Sequence, residues 1–410
     1  MKEDKYTKWL DYSLGLFALL SVAVPNLTSV SILILAIFII LAYVKKSISF
    51  QWNKLTQLFT VLYLVYLIGV LFTDNTEIAS KYLEYKLSFI IFPFLLSFKY
   101  KNRDFTIKWP IIGLILGVLI AGVYGVVNAF ICQSNGGESC FVTVSISPVH
   151  HPTYFMTYVV LAISGAWYGR SKKWKFFSLY WIVPYTVLGV LLHTYALSFS
   201  GLLFLILVFG AILLYFIYKK FGKVPAIILV VLFPIIAFVA IKKIPSIRGE
   251  YEGSVKYVAA FVDNPTQFIK DRDPGMSGSE QRLVMWLVSI EQIKEHPFGA
   301  GTGNVDDVLG DRLRELGRNE LAKKNLNPHN QYLQTTVEIG FSGLIVLLSI
   351  IILVFIYAMR NKNWLLLLVI SSLAFNSLFE SMLQRQSGIV FYTFWICLLL
   401  LLIKKQPETE

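Results

Sequence analysis

The residues best suited to chemistry lie in a short segment around His329, directly after a proline. Pro328 ends any preceding helix, so His329 stands near the beginning of the next one. An imidazole there can act as a general base, or bind a phosphate when protonated. It can equally be an interfacial histidine that is hydrogen-bonded to the loop. Asn330 and Gln334 are four residues apart and therefore share one helix face.

Three further charged residues are expected at or below the level of this histidine. Glu338 lies about two and a half helical turns deeper, where an ionisable group inside a membrane marks a site by default. A protonated or hydrogen-bonded packing residue is the other interpretation. Glu380 and Arg385 follow a later apolar run and face the same outer surface as His329. They either pair with each other or line the site.

Cationic side chains that suit a phosphate group occur in the segment before His329. Arg282 offers a planar fork of donors for phosphate oxygens, although a solvated helix arginine is an equally good interpretation. Lys242, Lys243 and Arg248 open the same segment. They either attract an anionic lipid headgroup or anchor the end of a helix.

A second polar segment, residues 132–151, carries adjacent histidines and two cysteines. The spacing of His150 and His151 supports no defined metal site, so we expect no metal there and favour substrate contact by His151 or capping. Cys132 and Cys140 form either a disulfide, which an oxidising compartment permits, or two free thiols.

The elements that position these residues are predicted to be membrane-spanning helices. Of the 410 residues, 56% are hydrophobic and only 15% are charged, against about 25% charged in soluble domains. Apolar runs of 18 or more residues are typical of helices that cross a bilayer. The sequence therefore predicts an all-α polytopic membrane protein. Its twelve spans lie at about 10–24, 27–44, 55–72, 87–98, 110–131, 152–169, 176–192, 196–218, 224–241, 329–358, 364–380 and 388–403.

Lysine and arginine alternate between the gaps on the two sides of these spans. One set of gaps holds 21 of them, the short gaps on the other side hold 3, and the segment 242–328 holds 13. Cytoplasmic loops are rich in these residues and long loops are exempt from the rule. Both termini are thus predicted to be cytoplasmic. The net charge of +12 needs no nucleic acid as a partner.

The predicted organisation has four parts. Residues 1–241 hold spans one to nine, 242–328 form a large catalytic loop on the outer, periplasmic side, 329–404 hold spans ten to twelve, and 405–410 form a cytoplasmic tail. Within the loop, Gln281–Lys294 and Asp306–Leu321 are predicted to be amphipathic helices. The turn-rich stretch between them, Pro297–Asn304, lacks the strand and helix that a dinucleotide loop requires.

Three blocks of residues resemble the O-antigen ligase and polymerase family of polytopic glycosyltransferases. The second block is the most specific, because it reads His-Asn-x-Tyr-Leu and then Glu-x-Gly-x-x-Gly-Leu at the start of a span after a large loop. The resemblance covers about residues 150–400. The blocks are Arg282–Trp286 with His296–Asn304, His329–Leu333 with Glu338–Leu344, and Glu380–Gln386.

The resemblance implies a reaction, its partners and its site residues. Members transfer a glycan from undecaprenyl diphosphate on the periplasmic face of the bacterial inner membrane. Ligases deliver it to lipid A core during lipopolysaccharide biosynthesis, by an inverting, metal-independent reaction that needs no cofactor. Arg282 and His329 match the loop arginine and the essential histidine of the family, and are the expected catalytic residues. The expected substrate-binding residues are Asn330, Tyr332, Gln334, Glu338, Glu380, Arg385, Lys242, Lys243, Arg248 and His151.

One feature of the family is missing from this chain. Ligases commonly carry an arginine in a Ser-Arg-Gly-like block, whereas the equivalent Leu197–Gly201 has none. Lys242, Lys243, Arg248 and Arg385 are the candidates to replace it. The departure leaves a repeat-unit polymerase of the same family, for O-antigen or exopolysaccharide, as the alternative function. A twelve-span transporter or flippase is the alternative from another class, although such proteins usually show internal repeats and broken helices.

Overall fold

The computed structural model describes residues 4–196, 199–243, 245–271 and 278–402. Within these residues the chain forms eighteen α-helices and one pair of short strands, and 76% of the protein is helical. The helices are α1 (Lys5–Ala23), α2 (Thr28–Val44), α3 (Gln57–Gly69), α4 (Thr76–Lys86), α5 (Ser88–Leu95), α6 (Lys108–Ser134), α7 (Pro152–Ser171), α8 (Leu179–Ala196), α9 (Phe199–Phe221), α10 (Lys223–Lys243), α11 (Pro245–Asp263), α12 (Pro265–Asp271), α13 (Gly278–Glu295), α14 (Val305–Glu315), α15 (Asn319–Ala322), α16 (Gln331–Arg360), α17 (Trp364–Asn376) and α18 (Gln386–Leu400); the strands are β1 (Ile48–Phe50) and β2 (Phe98–Tyr100).

Each of the twelve predicted spans falls on one helix, namely α1–α3, α5–α10 or α16–α18. In the described part of the chain, four helical stretches are long and apolar enough to cross a membrane, and shorter apolar helices accompany them. The four are Pro25–Val44, Lys108–Ser134, Leu203–Phe221 and Gln331–Arg360. The prediction of a mainly helical, polytopic membrane protein is confirmed, while the number twelve stays a prediction.

Helix α7 lies at the centre of the bundle, since its side chains are buried on nearly every face. A helix that is apolar on all sides is stable only when other helices surround it. It packs against α6, α8, α9 and α17. Because His151 caps its beginning, the central helix delivers that histidine to one end of the bundle.

Two of the connecting segments that are rich in lysine and arginine, 45–54 and 99–109, lie together at one end of the bundle. Strand β1 pairs antiparallel with β2, with Ile48 opposite Tyr100, although the two strands come from different gaps. Arg103, just beyond β2, forms an ion pair with Asp11 of α1. This grouping agrees with the alternation of the gaps, and which end faces the cytoplasm stays a prediction.

At the opposite end lie the connecting segments that are poor in lysine and arginine, and His150 joins three of them. The ring of His150 hydrogen-bonds the Val22 carbonyl oxygen at 2.8 Å and the Ser387 hydroxyl at 3.1 Å. Burial lowers the pKa of His150 to about 4. Cys132 and Cys140 form a disulfide in the same loop, which settles the choice that the sequence left open.

The segment 242–328 builds a small helical unit with a core of its own. Side chains from α12, α13, α14 and α15 pack together and against Val337 of α16. The prediction of a helix over Gln281–Lys294 is confirmed by α13. The prediction of a single helix over Asp306–Leu321 is wrong, because α14 ends at Glu315 and the left-handed Gly317 separates it from α15.

Helix α16 is kinked beside the glycine-rich segment that follows α13. Gly340 has φ +68, and a side chain there would clash with the Phe298 backbone. The kink leaves carbonyl groups of α16 without helical partners. The Val337 oxygen accepts a hydrogen bond from the Ala300 N–H at 2.8 Å, and the Glu338 oxygen accepts one from the Gly301 N–H at 3.1 Å. The segment Pro297–Asn304 therefore docks into the kink.

Candidate active site

His329 occupies a tight turn immediately before α16. Its φ of +47 is uncommon for a residue with a side chain. Its backbone N–H donates a hydrogen bond to Asn327 Oδ1 at 2.8 Å. Both carboxylate oxygens of Glu380 lie 3.2 Å from His329 Nδ1. When Nδ1 carries the proton and donates it to this carboxylate, the neutral ring keeps a lone pair on Nε2. The side chain as a whole is 27% exposed.

Glu380 is held in a turn between α17 and α18 that is bonded to the start of α16. The Ser381 N–H donates to Glu380 Oε1 at 3.1 Å. The Leu383 N–H donates to Gln331 Oε1 at 2.6 Å, and the Tyr154 hydroxyl donates to the Ser381 carbonyl oxygen at 3.0 Å. These bonds connect α7, α16 and the turn, and so fix the carboxylate beside His329.

His151 lies within electrostatic range of this pair, and the charges of Arg282 and Arg385 act on His151. Burial lowers the pKa of His151, Glu380 acts to raise it, and the charges of Arg385, His329 and Arg282 lower it further. Arg385 is exposed and Arg282 is half-buried. Five residues that the sequence predicts for the site are therefore brought together from four separate segments. Two fixed cations beside an imidazole and a carboxylate can hold a diphosphate and move a proton.

Three residues support this arrangement through hydrogen bonds. Asn330 caps α16 by accepting from the Tyr332 and Leu333 N–H groups, and its amide donates to the Leu378 carbonyl oxygen at 3.2 Å. The Tyr332 hydroxyl donates to the Ala374 carbonyl oxygen at 2.8 Å. Trp286, which the sequence did not single out as a site residue, donates to the Pro328 carbonyl oxygen at 2.9 Å. It thereby ties α13, which carries Arg282, to the turn that carries His329.

Gln334 and Glu338 belong to a second polar cluster that is fully buried. Glu338 Oε1 lies 3.6 Å from Lys86 Nζ, and neither side chain is exposed. Gln334 donates to Glu338 at 3.5 Å. Lys86 is a residue that sequence reasoning missed, because it was counted only as a charge in a short gap. A lysine directly before an apolar run was the one available signal.

The remaining predicted residues cannot be placed as side chains. Lys242 and Lys243 end α10 and Arg248 lies in α11, but their side chains are outside the described part. Within Leu197–Gly201, residues 197 and 198 are also outside it. In the ranges that the structure describes, no group of three or more histidine, cysteine or acidic residues is arranged to hold a metal ion.

Comparison with known proteins supports the resemblance on which these predictions rest. Residues 184–348 match the family described as O-antigen ligase, and this range includes Arg282, His329 and Glu338. An uncharacterized protein from Haemophilus influenzae is 29% identical over 220 residues, which is 50% of this chain and 52% of that protein. The chain thus spans about half the length of this curated relative. Residues 184–348 are thus similar to the O-antigen ligase family, and the apolar helices are those of a membrane protein.

Proposed function

We propose that this protein is a membrane glycosyltransferase of the ligase type, which moves a glycan from undecaprenyl diphosphate to lipid A core. The observation that carries the proposal is the pairing of His329 with Glu380 at 3.2 Å, close to His151, on which the charges of Arg282 and Arg385 also act. General-base, carboxylate and cationic groups are the parts that a metal-independent transfer with a diphosphate leaving group requires.

His329 activates the acceptor in this mechanism. Its Nε2 accepts the proton of an acceptor hydroxyl while that oxygen attacks the anomeric carbon of the glycan. Glu380, hydrogen-bonded to Nδ1, stabilises the imidazolium that forms. His151 borders the same space as a neutral imidazole, since burial lowers its pKa. It therefore offers a hydrogen bond to the substrate without adding charge.

Arg282 and Arg385 receive the leaving group. As the bond between the anomeric carbon and the diphosphate oxygen breaks, its electron pair stays on undecaprenyl diphosphate. Guanidinium groups stabilise that developing charge more than they stabilise the bound donor, which accelerates the step. Attack from the face opposite the diphosphate inverts the anomeric centre. Asn330 and Tyr332 then act by shaping the turn, through the bonds they make to neighbouring backbone.

The proposed location is the bacterial inner membrane, with the site on the periplasmic side and both termini in the cytoplasm. The gaps poor in lysine and arginine meet at the end of the bundle that carries His329. The disulfide between Cys132 and Cys140 lies in one of these gaps. Disulfides persist in the periplasm and are rare in the cytosol, so both observations favour the same orientation.

A repeat-unit polymerase is the second candidate, favoured by the lack of an arginine in Leu197–Gly201. Deletion of the gene, with lipopolysaccharide and lipid-linked glycan profiled together, separates the two. Loss of long glycan from lipid A core, with the glycan accumulating on undecaprenyl diphosphate, is the expected result for a ligase. A single repeat still attached to the core would identify a polymerase. Unchanged lipopolysaccharide would rule out lipid A core as the acceptor.

A further inference from the structure

Lys86 carries one of the most completely buried charges described in this protein. It ends α4, its side chain is not exposed, and it comes from a region of the chain outside the range that matches the ligase family. A buried ammonium is costly unless it is paired and hydrogen-bonded. The side chains that surround the ammonium therefore indicate which elements it connects.

Four side chains surround the ammonium of Lys86. Glu338 Oε1 lies at 3.6 Å and Gln384 Oε1 accepts a hydrogen bond at 3.5 Å. The rings of Tyr66 and Tyr82 lie 4.4 and 4.9 Å away, as cation–π partners. One ammonium thus joins α3, α4, the kinked helix α16 and the turn before α18.

The contact with Gln384 connects this cluster to the candidate active site. Gln384 is the neighbour of Arg385 and lies in the same turn as Glu380, which holds His329. The Tyr82 hydroxyl also hydrogen-bonds Gln384, so the amide is fixed by two groups of α4. Lys86 thus adds a further tie between the turn and α16, beside the hydrogen bond from the Leu383 N–H to Gln331.

We propose that Lys86 is a positioning residue for the transfer reaction, which acts through Gln384 to hold Glu380 and Arg385 in place. The proposal rests on the proposed function for its effect on catalysis. Glu338 is the counter-charge that makes burial of the ammonium possible. Its carboxylate is itself held against the docked glycine segment, where it accepts a hydrogen bond from the Gly303 N–H at 3.4 Å.

The test compares a single variant with a charge-neutral double variant of the full-length protein in detergent. Lys86→Met leaves the Glu338 carboxylate buried without its partner, so both the melting temperature and kcat are expected to fall. In Lys86→Met with Glu338→Gln the unpaired charge is gone, and the melting temperature is expected to recover. If Lys86 positions the turn, kcat of the double variant stays about 10- to 100-fold below wild type. Recovery of wild-type kcat in the double variant would overturn the proposal.

Gln384→Met removes the tether itself and leaves the ion pair intact. It is expected to lower kcat by a similar factor with little loss of thermal stability, whereas Gln386→Met, at an exposed glutamine nearby, serves as the matched control. In Gln384→Met, kcat is expected to change more than the KM for the lipid-linked donor. Wild-type kcat in this variant, or an equal loss in Gln386→Met, would contradict a positioning role.

Hydrogen exchange of residues 380–385 reads the position of the turn without any assay of activity. Faster exchange in the stable double variant than in wild type is the expected result, and equal exchange would overturn the proposal. Faster exchange together with a wild-type protein that transfers no glycan would refute the proposed function and leave the positioning role standing.

Discussion

At the scale of single residues, the candidate site separates groups that can touch substrate from groups that hold them. His329 is half-buried and Arg385 is exposed, while the Glu380 side chain is 8% exposed and is hydrogen-bonded to the histidine. A carboxylate bonded to one imidazole nitrogen sets which nitrogen stays free for proton transfer. The sequence predicted these residues but not their pairing, because no local pattern relates a histidine at the start of one helix to a turn 51 residues later.

Arg282→Ala is expected to raise KM for the lipid-linked donor and to lower kcat by about 10²–10³-fold, the range typical of a lost charge-stabilising donor. Steady-state kinetics of the purified variant measure both constants. Arg314→Ala is the matched control, since this arginine lies in the same segment, is exposed and pairs with Asp311. Equal kinetics of the two variants would remove Arg282 from the site.

At the scale of elements, the site depends on the kink at Gly340 in helix α16. The apolar run of α16 predicts one straight span, and the sequence contains Gly340 as an isolated glycine. The left-handed conformation of that glycine becomes necessary only because the Pro297–Asn304 segment docks there. The sequence identifies the glycine and the turn-rich segment separately. It does not predict that the two are in contact, since they are far apart in the chain.

Gly340→Ala is expected to lower the free energy of unfolding by about 1–3 kcal/mol, the usual cost of a strained left-handed residue, with a further cost from the Phe298 clash. Thermal unfolding in detergent provides the measurement. Gly210→Ala in α9 is the control, because a Cβ there meets open space and the backbone is helical. A Gly340→Ala variant as stable as this control would show that the kink is not required.

Asp306 makes the stability of the loop unit dependent on pH. Burial, with the negative charges of Glu338 and Asp307, raises its pKa from 3.8 to about 6. A carboxyl group with a raised folded pKa stabilises the fold when protonated, fully below pH 3.8, and this contribution is lost as the pH rises through about 6. Asp306→Asn is therefore expected to melt a few degrees higher than wild type above pH 7. The difference should shrink as the pH falls below 6, and a constant difference at every pH would contradict this account.

At the scale of the whole molecule, the fold sorts two sets of loops to two ends of a helical bundle. Composition and apolar runs were sufficient to predict the twelve apolar helices and the alternation of the gaps, but not the polar helices α4, α11 and α12. They could not predict the pairing of β1 with β2, the separate α14 and α15, or the burial of Lys86 against Glu338. These features depend on contacts between distant parts of the chain, which hydropathy does not record.

The predicted orientation can be tested with two single cysteines and a membrane-impermeant maleimide applied to spheroplasts. Phe298→Cys, at a site that is 85% exposed in the loop segment, is expected to be labelled. Lys173→Cys, at an exposed site in a basic gap, is expected to react only after lysis. The native background is silent, because Cys132 and Cys140 are bridged and Cys397 is buried. Labelling of position 173 in intact spheroplasts would reverse the orientation.

The most direct test of the central claim is glycan transfer by purified protein in detergent, with no ion gradient, for wild type, His329→Ala and Glu380→Gln. Wild type is expected to turn over the undecaprenyl-diphosphate-linked donor. His329→Ala is expected to lose about 10²–10⁴-fold in kcat, the usual contribution of a general base, while keeping its melting temperature. Glu380→Gln, which keeps a hydrogen-bonding group beside His329 but removes the charge, is expected to lose less. Wild-type kcat in the His329→Ala variant would contradict the account, because it would show that His329 does not take the proton of the acceptor hydroxyl.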